Sequence, residues 1–302
     1  MKAAAFHEFG GPEVLRVTEI ATPEAGEGQV RVRVRAAGVQ PFDVAVRRGW
    51  TPAGVTGDLP RVPGNEFAGV VDQVGAGVTG ISPGAEVLGF TLLNAYAEYV
   101  VVPAENVTPK PAAMPWEVAG GFTAGTQTAH IALRQLEVGE GDTVLVHAAA
   151  GGVGTAAVQL ARLWGATVIG TAREENHDYL RSLGAIPVAY GEGLLERVRA
   201  LAPGGVDKVL DGAGGEALDV SLRLVKPERV ITLVEHGKAA ELGVQLTRGV
   251  RLASRLAELA ALHAEGRLVF PVRRTYPLRR AADAHREVEG RHGRGKVVIT
   301  ID

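Results

Sequence analysis

The chain has 302 residues, of which 46% are hydrophobic and 22% are charged, with a formal net charge of -2 and no cysteine. This composition is typical of a globular chain with room for about two domains, and the near-neutral charge argues against a nucleic-acid partner. The absence of cysteine excludes disulfides, thiolate nucleophiles and cysteine-ligated zinc or iron–sulfur sites. The amino terminus reaches Glu8 before any apolar stretch, and no run of about 18 apolar residues occurs, so we expect a cytoplasmic protein with no membrane partner.

The first part of the chain, up to about residue 110, has the short, turn-rich pattern of β-structure. Strands are predicted where β-branched residues alternate with polar ones or are bounded by Gly or Pro. These strands are Gln29–Ala36, Gly69–Val74, Glu86–Phe90 and Ala97–Val102. We therefore expect a mostly β domain here.

Between about residue 115 and residue 265, short β-rich runs alternate with helical stretches. The predicted strands are Thr143–His147, Thr167–Thr171, Ile186–Ala189, Val206–Asp211, Arg229–Val234 and Gly243–Leu246. Apolar residues at helical spacing predict helices over Ala156–Trp164 and Arg251–His263. This alternation predicts an α/β fold, with a doubly wound parallel sheet of the Rossmann type covered by helices on both faces.

The last segment, Lys296–Ile301, is again a β run, and we expect it to return to the first domain. The predicted organisation is a discontinuous β-rich domain, residues 1–115 and 266–302, into which a dinucleotide-binding domain, residues 116–265, is inserted. The active-site cleft would then lie between the two domains.

A glycine turn lies between a predicted strand and a predicted helix, with the sequence Ala148-Ala149-Ala150-Gly151-Gly152-Val153-Gly154. Backbone N–H groups at a helix N-terminus must approach a pyrophosphate closely, which requires residues without a side chain at the contact points. Ala149 occupies the place of the first glycine of GxGxxG. Cofactor contacts are therefore expected from Ala149, Gly151, Gly152, Val153 and Gly154, and the alternative is a structural glycine turn.

The end of the next predicted strand indicates which dinucleotide is bound. An acidic residue there would hold the ribose 2′-OH of NAD, whereas arginine suits the 2′-phosphate of NADP. The strand is followed by Ala172 and Arg173, which favours NADP(H). The alternative for Arg173 is a solvated surface charge, and Glu174 and Glu175 are then first-turn residues of the next helix.

Six short motifs occur in order along the chain: Ala37–Asp43, Val62–Gly69, Thr128-Ala129, Ala148–Gly154, Leu183–Ala185 and Gly295–Ile299. Together they resemble the medium-chain dehydrogenase/reductase superfamily, and within it the zinc-independent quinone oxidoreductase-like (zeta-crystallin-like) branch. The resemblance implies a GroES-like substrate domain beside the Rossmann domain. It also implies hydride delivery from NADPH to a quinone or to the β-carbon of an α,β-unsaturated carbonyl, and a homodimer formed through an edge strand near Gly243–Leu246.

The chain departs from related sequences at two places on the substrate side. Zinc-using relatives place a histidine in the motif that here is Gly64-Asn65-Glu66, and cysteines elsewhere, so no metal is expected. The pattern Asn-Pro-x-Asp of the branch is here Gln40-Pro41-Phe42-Asp43, and Ala45 stands where a tyrosine often follows. The substrate-side chemistry is therefore less defined than the cofactor.

Hydride transfer requires that the nicotinamide and the acceptor carbon be held in near-contact and that the developing oxyanion be stabilised. Gln40, through its amide, and the ribose hydroxyls of the nicotinamide are candidates for polarising the carbonyl, with Asp43 positioning the network. The alternative for both side chains is a turn. Thr128 matches a threonine that lines the nicotinamide pocket in similar proteins, and the alternative is a plain helix residue.

The resemblance implies further cofactor contacts. His177 lies near a position where relatives often have a lysine for the 2′-phosphate, although a solvated histidine is the alternative. Tyr190 would contact the adenosine side, Asp211 and Gly212 end a parallel strand, and Val234 would contact the nicotinamide by its backbone. The alternative for Asp211 and Gly212 is a purely structural turn. Two other tyrosines, Tyr96 and Tyr99, are expected to be packing or wall residues and not proton donors.

Other enzyme classes are excluded by missing motifs. The Tyr-x-x-x-Lys of short-chain dehydrogenases and the GxSxG of serine hydrolases are both absent. An enoyl-thioester reductase of the polyketide or fatty-acid type remains as an alternative, since the same fold and cofactor reduce activated double bonds. A catalytically silent NADPH-binding protein is a further alternative, favoured by Ala45 alone.

Overall fold

The computed structural model describes residues 1–56, 58–290 and 293–302. The chain divides into two compact units, Met1–Ala124 together with Arg251–Asp302, and Gly125–Val250. The predicted boundaries at 115/116 and 265/266 differ from this division. The helix that follows Arg251 belongs to the first unit, where the ring of His263 lies 5.6 Å from that of Phe122.

Among the described residues, strands predominate up to residue 109, and strands and helices alternate from residue 143 to residue 242, as expected. In chain order the strands are β1 (Lys2–Ala5), β2 (Arg16–Glu19), β3 (Gln29–Val39), β4 (Glu66–Val74), β5 (Glu86–Phe90), β6 (Tyr99–Pro103), β7 (Val107–Pro109), β8 (Thr143–Val146), β9 (Thr167–Ala172), β10 (Ile186–Ala189), β11 (Lys208–Asp211), β12 (Val230–Thr232), β13 (Val272–Pro277) and β14 (Lys296–Thr300). The α-helices are α1 (Pro41–Arg47), α2 (Trp116–Gln135), α3 (Gly152–Leu163), α4 (His177–Ser182), α5 (Leu194–Leu201), α6 (Glu216–Leu222), α7 (Ala239–Leu242), α8 (Ala253–Ala264) and α9 (Ala281–Glu289). In the same described ranges, no helix is long and apolar enough to cross a membrane.

The first unit is built on a mixed sheet of seven strands among the described residues, in the order β13-β14-β3-β4-β5-β7, with β6 also paired to β3. The period-two pattern of β3 explains its central place, because Val30, Val32 and Val34 are completely buried in the core. The carboxyl-terminal strand β14 pairs antiparallel with β3. The prediction that the tail returns to the first domain is therefore confirmed.

The second unit contains a parallel sheet in the order β10-β9-β8-β11-β12. The order is that of a Rossmann sheet, and the apolar run of β8 lies at its centre, as expected of a strand covered on both faces. The predicted strand at Gly243–Leu246 is wrong, since within the described residues this segment forms a single parallel bridge between Gln245 and Ile231. Gly243 ends α7 with a left-handed φ of 69°, and the chain leaves the sheet again after one bridge.

Helix α2 begins in the first unit with two glycines that allow it to lie close to the sheet. A Cβ at Gly120 would come within 2.6 Å of the Ala36 backbone, and a Cβ at Gly121 within 2.8 Å of Lys296 Cγ. Their lack of side chains is required for this approach. The close packing places the beginning of α2 over the antiparallel pair that the end of β3 forms with β14.

Candidate functional site

The predicted cofactor turn connects the carboxyl end of β8 to α3. Gly151 is the N-cap of α3 with an extended backbone and no side-chain cap, and the first turn carries no acidic residue. Its N–H groups are therefore left for an external acceptor at the positive end of the helix dipole. A Cβ at Gly154 would come within 2.6 Å of Ala149 Cα, so this position requires glycine. The site has the geometry that an anionic group such as a pyrophosphate needs.

A buried hydrogen-bond network that the sequence did not indicate supports this turn. Thr171 Oγ1 accepts from Ala148 N at 3.2 Å and lies 3.2 Å from His147 Nδ1, while His147 Nε2 lies 3.0 Å from Ser221 Oγ. Because Ser221 donates its own proton to the Ala217 carbonyl, His147 must carry its proton on Nε2. Burial lowers the pKa of His147 to about 4, with the Asp211 carboxylate opposing the shift, so the ring is neutral near pH 7.

Arg173 and Tyr190, both predicted to bind the cofactor, are brought together by the fold. Arg173 follows β9 and its Nε donates to the Tyr190 hydroxyl at 3.0 Å, while a longer ion pair at 3.9 Å joins it to Glu175. The hydrogen bond that Arg173 donates to the Tyr190 hydroxyl raises the pKa of this exposed guanidinium. His177 is the first residue of α4 and is partly buried.

Asp211 and Val234 have structural partners where cofactor contacts were predicted. The carboxylate of Asp211 accepts from the backbone N–H groups of Ala213 and Gly214 at 2.9 and 2.8 Å, and from Thr232 Oγ1 at 2.8 Å. The N–H of Val234 donates to the same threonine hydroxyl at 3.3 Å. Asp211 therefore shapes the two turns that follow β11 and β12, which is the turn interpretation of this residue.

In the first unit Asp43 is completely buried and joins three segments of chain. One carboxylate oxygen accepts from the Gln40 backbone N–H and from the Tyr96 hydroxyl, both at 3.0 Å, and the other from the Gly64 N–H at 3.0 Å. Burial raises the pKa of Asp43 from 3.8 to about 6, with the Lys296 ammonium opposing the shift. Burial and the Asp43 carboxylate raise the pKa of Tyr96 well above its ordinary value. Tyr96 is thus more than a packing residue, since it is a hydrogen-bond donor to Asp43.

Gln40 is the N-cap of α1, and its side chain is held from two sides. Lys296 Nζ donates to Gln40 Oε1, and Gln40 Nε2 donates to Asn65 Oδ1. Lys296 in turn forms an ion pair with Glu66 Oε1 at 2.5 Å, and both side chains are buried. These four residues, Gln40, Asn65, Glu66 and Lys296, are called the amide cluster below.

Two further groups close the amide cluster. Arg251 Nη1 donates to the Asn65 carbonyl at 2.9 Å, and the Ala124 N–H donates to Glu66 Oε2 at 2.5 Å. Burial lowers the pKa of Arg251, while the negative charges of Glu66 and Asp43 oppose the shift. Within the described part of the chain, no group of three or more His, Cys, Asp or Glu side chains is placed to share a metal ion.

Sequence reasoning brought Gln40 and Asp43 to this site but missed Glu66, Lys296 and Arg251. Glu66 and Lys296 lie in two of the six motifs, Val62–Gly69 and Gly295–Ile299. The signal that could have identified them is a charged residue at the start of an apolar strand. Thr128 lies in the part of α2 that belongs to the second unit and is partly buried.

Two protein-family models match the chain. The model described as alcohol dehydrogenase GroES-like domain matches residues 26–112, and the model described as zinc-binding dehydrogenase matches residues 183–299. The two matches fall on opposite sides of the cofactor turn and together cover most of the chain.

The chain is also similar to curated proteins and solved structures over nearly its whole length. It is 34% identical to a 2-haloacrylate reductase of Burkholderia sp, with 98% of each chain covered. It is 39% identical to the pikromycin polyketide synthase component PikAII of Streptomyces venezuelae over 94% of its own length, which is 8% of that protein. The quinone oxidoreductase of Escherichia coli, solved in complex with NADPH, superposes with a TM-score of 0.87 at 29% identity, covering 99% of this chain and 100% of the other.

Proposed function

Because the chain belongs to the medium-chain dehydrogenase/reductase superfamily, in its quinone oxidoreductase-like branch, we propose that it is a zinc-free, NADPH-dependent oxidoreductase. Its acceptor is a quinone or the β-carbon of an α,β-unsaturated carbonyl compound. The observation that carries the proposal is the uncapped N-terminus of α3 behind a turn that only glycine can occupy at residue 154. The similarity to a 2-haloacrylate reductase and to an NADPH-bound quinone oxidoreductase agrees with this reaction.

The residues of the second unit fit a nicotinamide dinucleotide. The first turn of α3 would hold the pyrophosphate by backbone N–H groups. Arg173, steadied by the Tyr190 hydroxyl, would bind the 2′-phosphate that distinguishes NADPH from NADH. When bound, the nicotinamide supplies the hydride.

The first unit supplies groups suited to the acceptor. As hydride reaches the acceptor carbon, negative charge develops on the carbonyl oxygen, and a donor fixed in advance stabilises it. Gln40 offers such a donor, because one of its two Nε2 hydrogens is used by Asn65 and the other has no acceptor among the described residues. Asp43 holds the backbone of Gln40 in place.

The zinc-free part of the proposal is supported by how the oxygens of Asn65 are used. Its side-chain oxygen accepts from Gln40 and its carbonyl from Arg251. Since the chain has no cysteine and Asn65 stands where zinc-using relatives have histidine, this motif offers neither the imidazole nitrogen nor the thiolate sulfur that zinc prefers.

An enoyl thioester is the second candidate acceptor, favoured by the 39% identity to a segment of a polyketide synthase component. An enoyl thioester is also an α,β-unsaturated carbonyl, so the same residues would act on it. The two acceptor classes differ in the group attached to the carbonyl carbon, whereas the cofactor chemistry is the same for both.

Purified protein tests the proposal when NADPH oxidation is followed at 340 nm with quinones, enones, 2-haloacrylate and enoyl thioesters. We expect turnover with at least one acceptor class, at a rate that a chelator leaves unchanged. A rate that falls on chelation and returns with zinc would contradict the zinc-free assignment. Tight NADPH binding without turnover of any acceptor would instead identify a silent NADPH-binding protein.

A further inference from the structure

The side chain of Lys296 lies in a space that strand register creates. β14 pairs with β3 so that Val297 is opposite Val39 and Val298 opposite Gly38, and β4 pairs on the other side of β3 with Phe67 opposite Ala37. This register places Lys296 beside Gln40 and Glu66 beside Gly38. A Cβ at Gly38 would come within 2.7 Å of Lys296 Cε, so glycine makes room for the ion pair.

The ion pair fixes the direction of the Gln40 amide. An ammonium group has three donors and no acceptor, so the atom of Gln40 that faces Lys296 must be the oxygen Oε1. The amide nitrogen Nε2 is then turned the other way, toward Asn65. Glu66 keeps the ammonium in position, because its second oxygen is held by the Ala124 N–H at 2.5 Å.

The same contact makes the Gln40 amide a stronger donor. The positive charge of the Lys296 ammonium, next to the amide oxygen, draws electron density from the amide nitrogen. Such polarisation is strong where water is excluded. Lys296 is 6% exposed and Glu66 is 0% exposed, so solvent screens this charge little.

We propose that Lys296 is a positioning residue of the reductase, which fixes and polarises the Gln40 amide so that Nε2–H donates to the acceptor oxygen. The inference rests on the proposed function, since it assigns Gln40 the oxyanion-stabilising role. If the ammonium were absent, the amide could rotate and present Oε1, an acceptor that repels a developing oxyanion. Lys296 itself does not contact the substrate in this proposal.

The test combines Lys296→Met, Gln40→Leu and the double variant in steady-state NADPH oxidation. We expect Lys296→Met to lower kcat by about tenfold and Gln40→Leu by at least as much, with NADPH affinity unchanged. Because the lysine acts through the amide, the double variant should be no slower than Gln40→Leu alone. A double variant slowed by the product of the two single losses would overturn the proposal, as would an unchanged kcat in Lys296→Met.

Lys110→Met provides the matched control for removing a buried lysine from the same unit. Lys110 is 9% exposed, forms an ion pair with Glu86 at 3.1 Å and donates to the Met114 carbonyl at 3.0 Å, partners that do not belong to the amide cluster. We expect this variant to keep the wild-type kcat. A loss equal to that of Lys296→Met would show a general effect of removing a buried charge and would overturn the positioning role.

A second measurement does not depend on activity. In protein labelled with ¹⁵N-glutamine, the side-chain amide signal of Gln40 is identified by its loss in Gln40→Leu. We expect Lys296→Met to shift that signal and Lys110→Met to leave it in place. An unshifted signal would overturn the proposal even if the wild-type protein reduced no acceptor, whereas a shifted signal in an inactive protein would refute the proposed function alone.

Discussion

The cofactor turn and the amide cluster are two sites of very different construction. The turn is one continuous segment, Ala148 to Gly154, and what it offers to a ligand is its backbone. The amide cluster comes from three separate segments that meet through the pairing of β3 with β4 and β14, and it is built of side chains. The first site therefore tolerates no change of backbone shape, whereas the second depends on charge and on the register of strands.

The two sites also differ in what surrounds their glycines. A Cβ at Gly154 would meet backbone atoms, which cannot move without altering the turn. A Cβ at Gly38 would meet the ends of the Glu66 and Lys296 side chains, which can move. The same kind of substitution should thus abolish binding at one site and weaken catalysis at the other.

Gly154→Val is expected to have the largest effect. The larger side chain cannot fit against fixed backbone and must reshape the turn, and a cost of about 3 kcal/mol, the upper end for overpacking, corresponds to a loss of NADPH affinity of about 100-fold. Calorimetric titration with NADPH would measure it. Gly139→Ala is the control, because a Cβ there meets nothing within 4 Å, and it should bind NADPH like the wild type. Equal affinities in all three proteins would contradict the assignment of the turn.

Asp43→Asn should change how stability depends on pH. Since burial raises the folded pKa of Asp43 from 3.8 to about 6, its contribution to stability is full below pH 3.8 and is lost as pH rises through about 6. The loss is about 3 kcal/mol. The free energy of unfolding of the wild type minus that of Asp43→Asn should therefore fall between about pH 4 and pH 7.5 in urea titrations. A difference that stays constant or rises with pH would show that Asp43 is not destabilised by burial.

Gly38→Ala should leave the cofactor site intact and disturb the amide cluster. The added methyl group displaces the Glu66 and Lys296 side chains, so kcat should fall by about tenfold while NADPH affinity stays the same. Steady-state kinetics measures kcat, and calorimetric titration with NADPH measures the affinity. A loss of NADPH affinity as large as the loss in kcat would mean that the two sites are not independent in the way their construction suggests.

Arg173→Ala and Tyr190→Phe should have the smallest effects, since both side chains are about half exposed. We expect the preference for NADPH over NADH to fall about fivefold in the first variant and about twofold in the second, because Tyr190 acts on Arg173 through one hydrogen bond. The ratio of kcat/KM with NADPH to kcat/KM with NADH measures this preference. Arg181→Ala, an exposed arginine on α4, should leave the ratio unchanged.

How far the sequence could predict each site follows from these differences. A glycine turn between an apolar strand and a helix is a local pattern, so the α/β class, the central strand β8 and the turn could be predicted from neighbouring residues. The return of the carboxyl-terminal strand followed from its β-rich composition. The predicted strand at Gly243–Leu246 failed because a left-handed glycine and a single bridge are decided by packing and not by local propensity.

The amino-acid sequence by itself determined the cofactor turn, because the chemistry of that site requires small residues in one unbroken order. The tertiary structure alone decided that Lys296 and Glu66 belong with Gln40, residues far apart along the chain. Strand pairing and register bring them together, and the pattern within β3 alone does not specify that β4 and β14 are its partners. It also decided that Asp211 reaches the turn after β12, since Thr232 becomes its neighbour only when β11 and β12 pair.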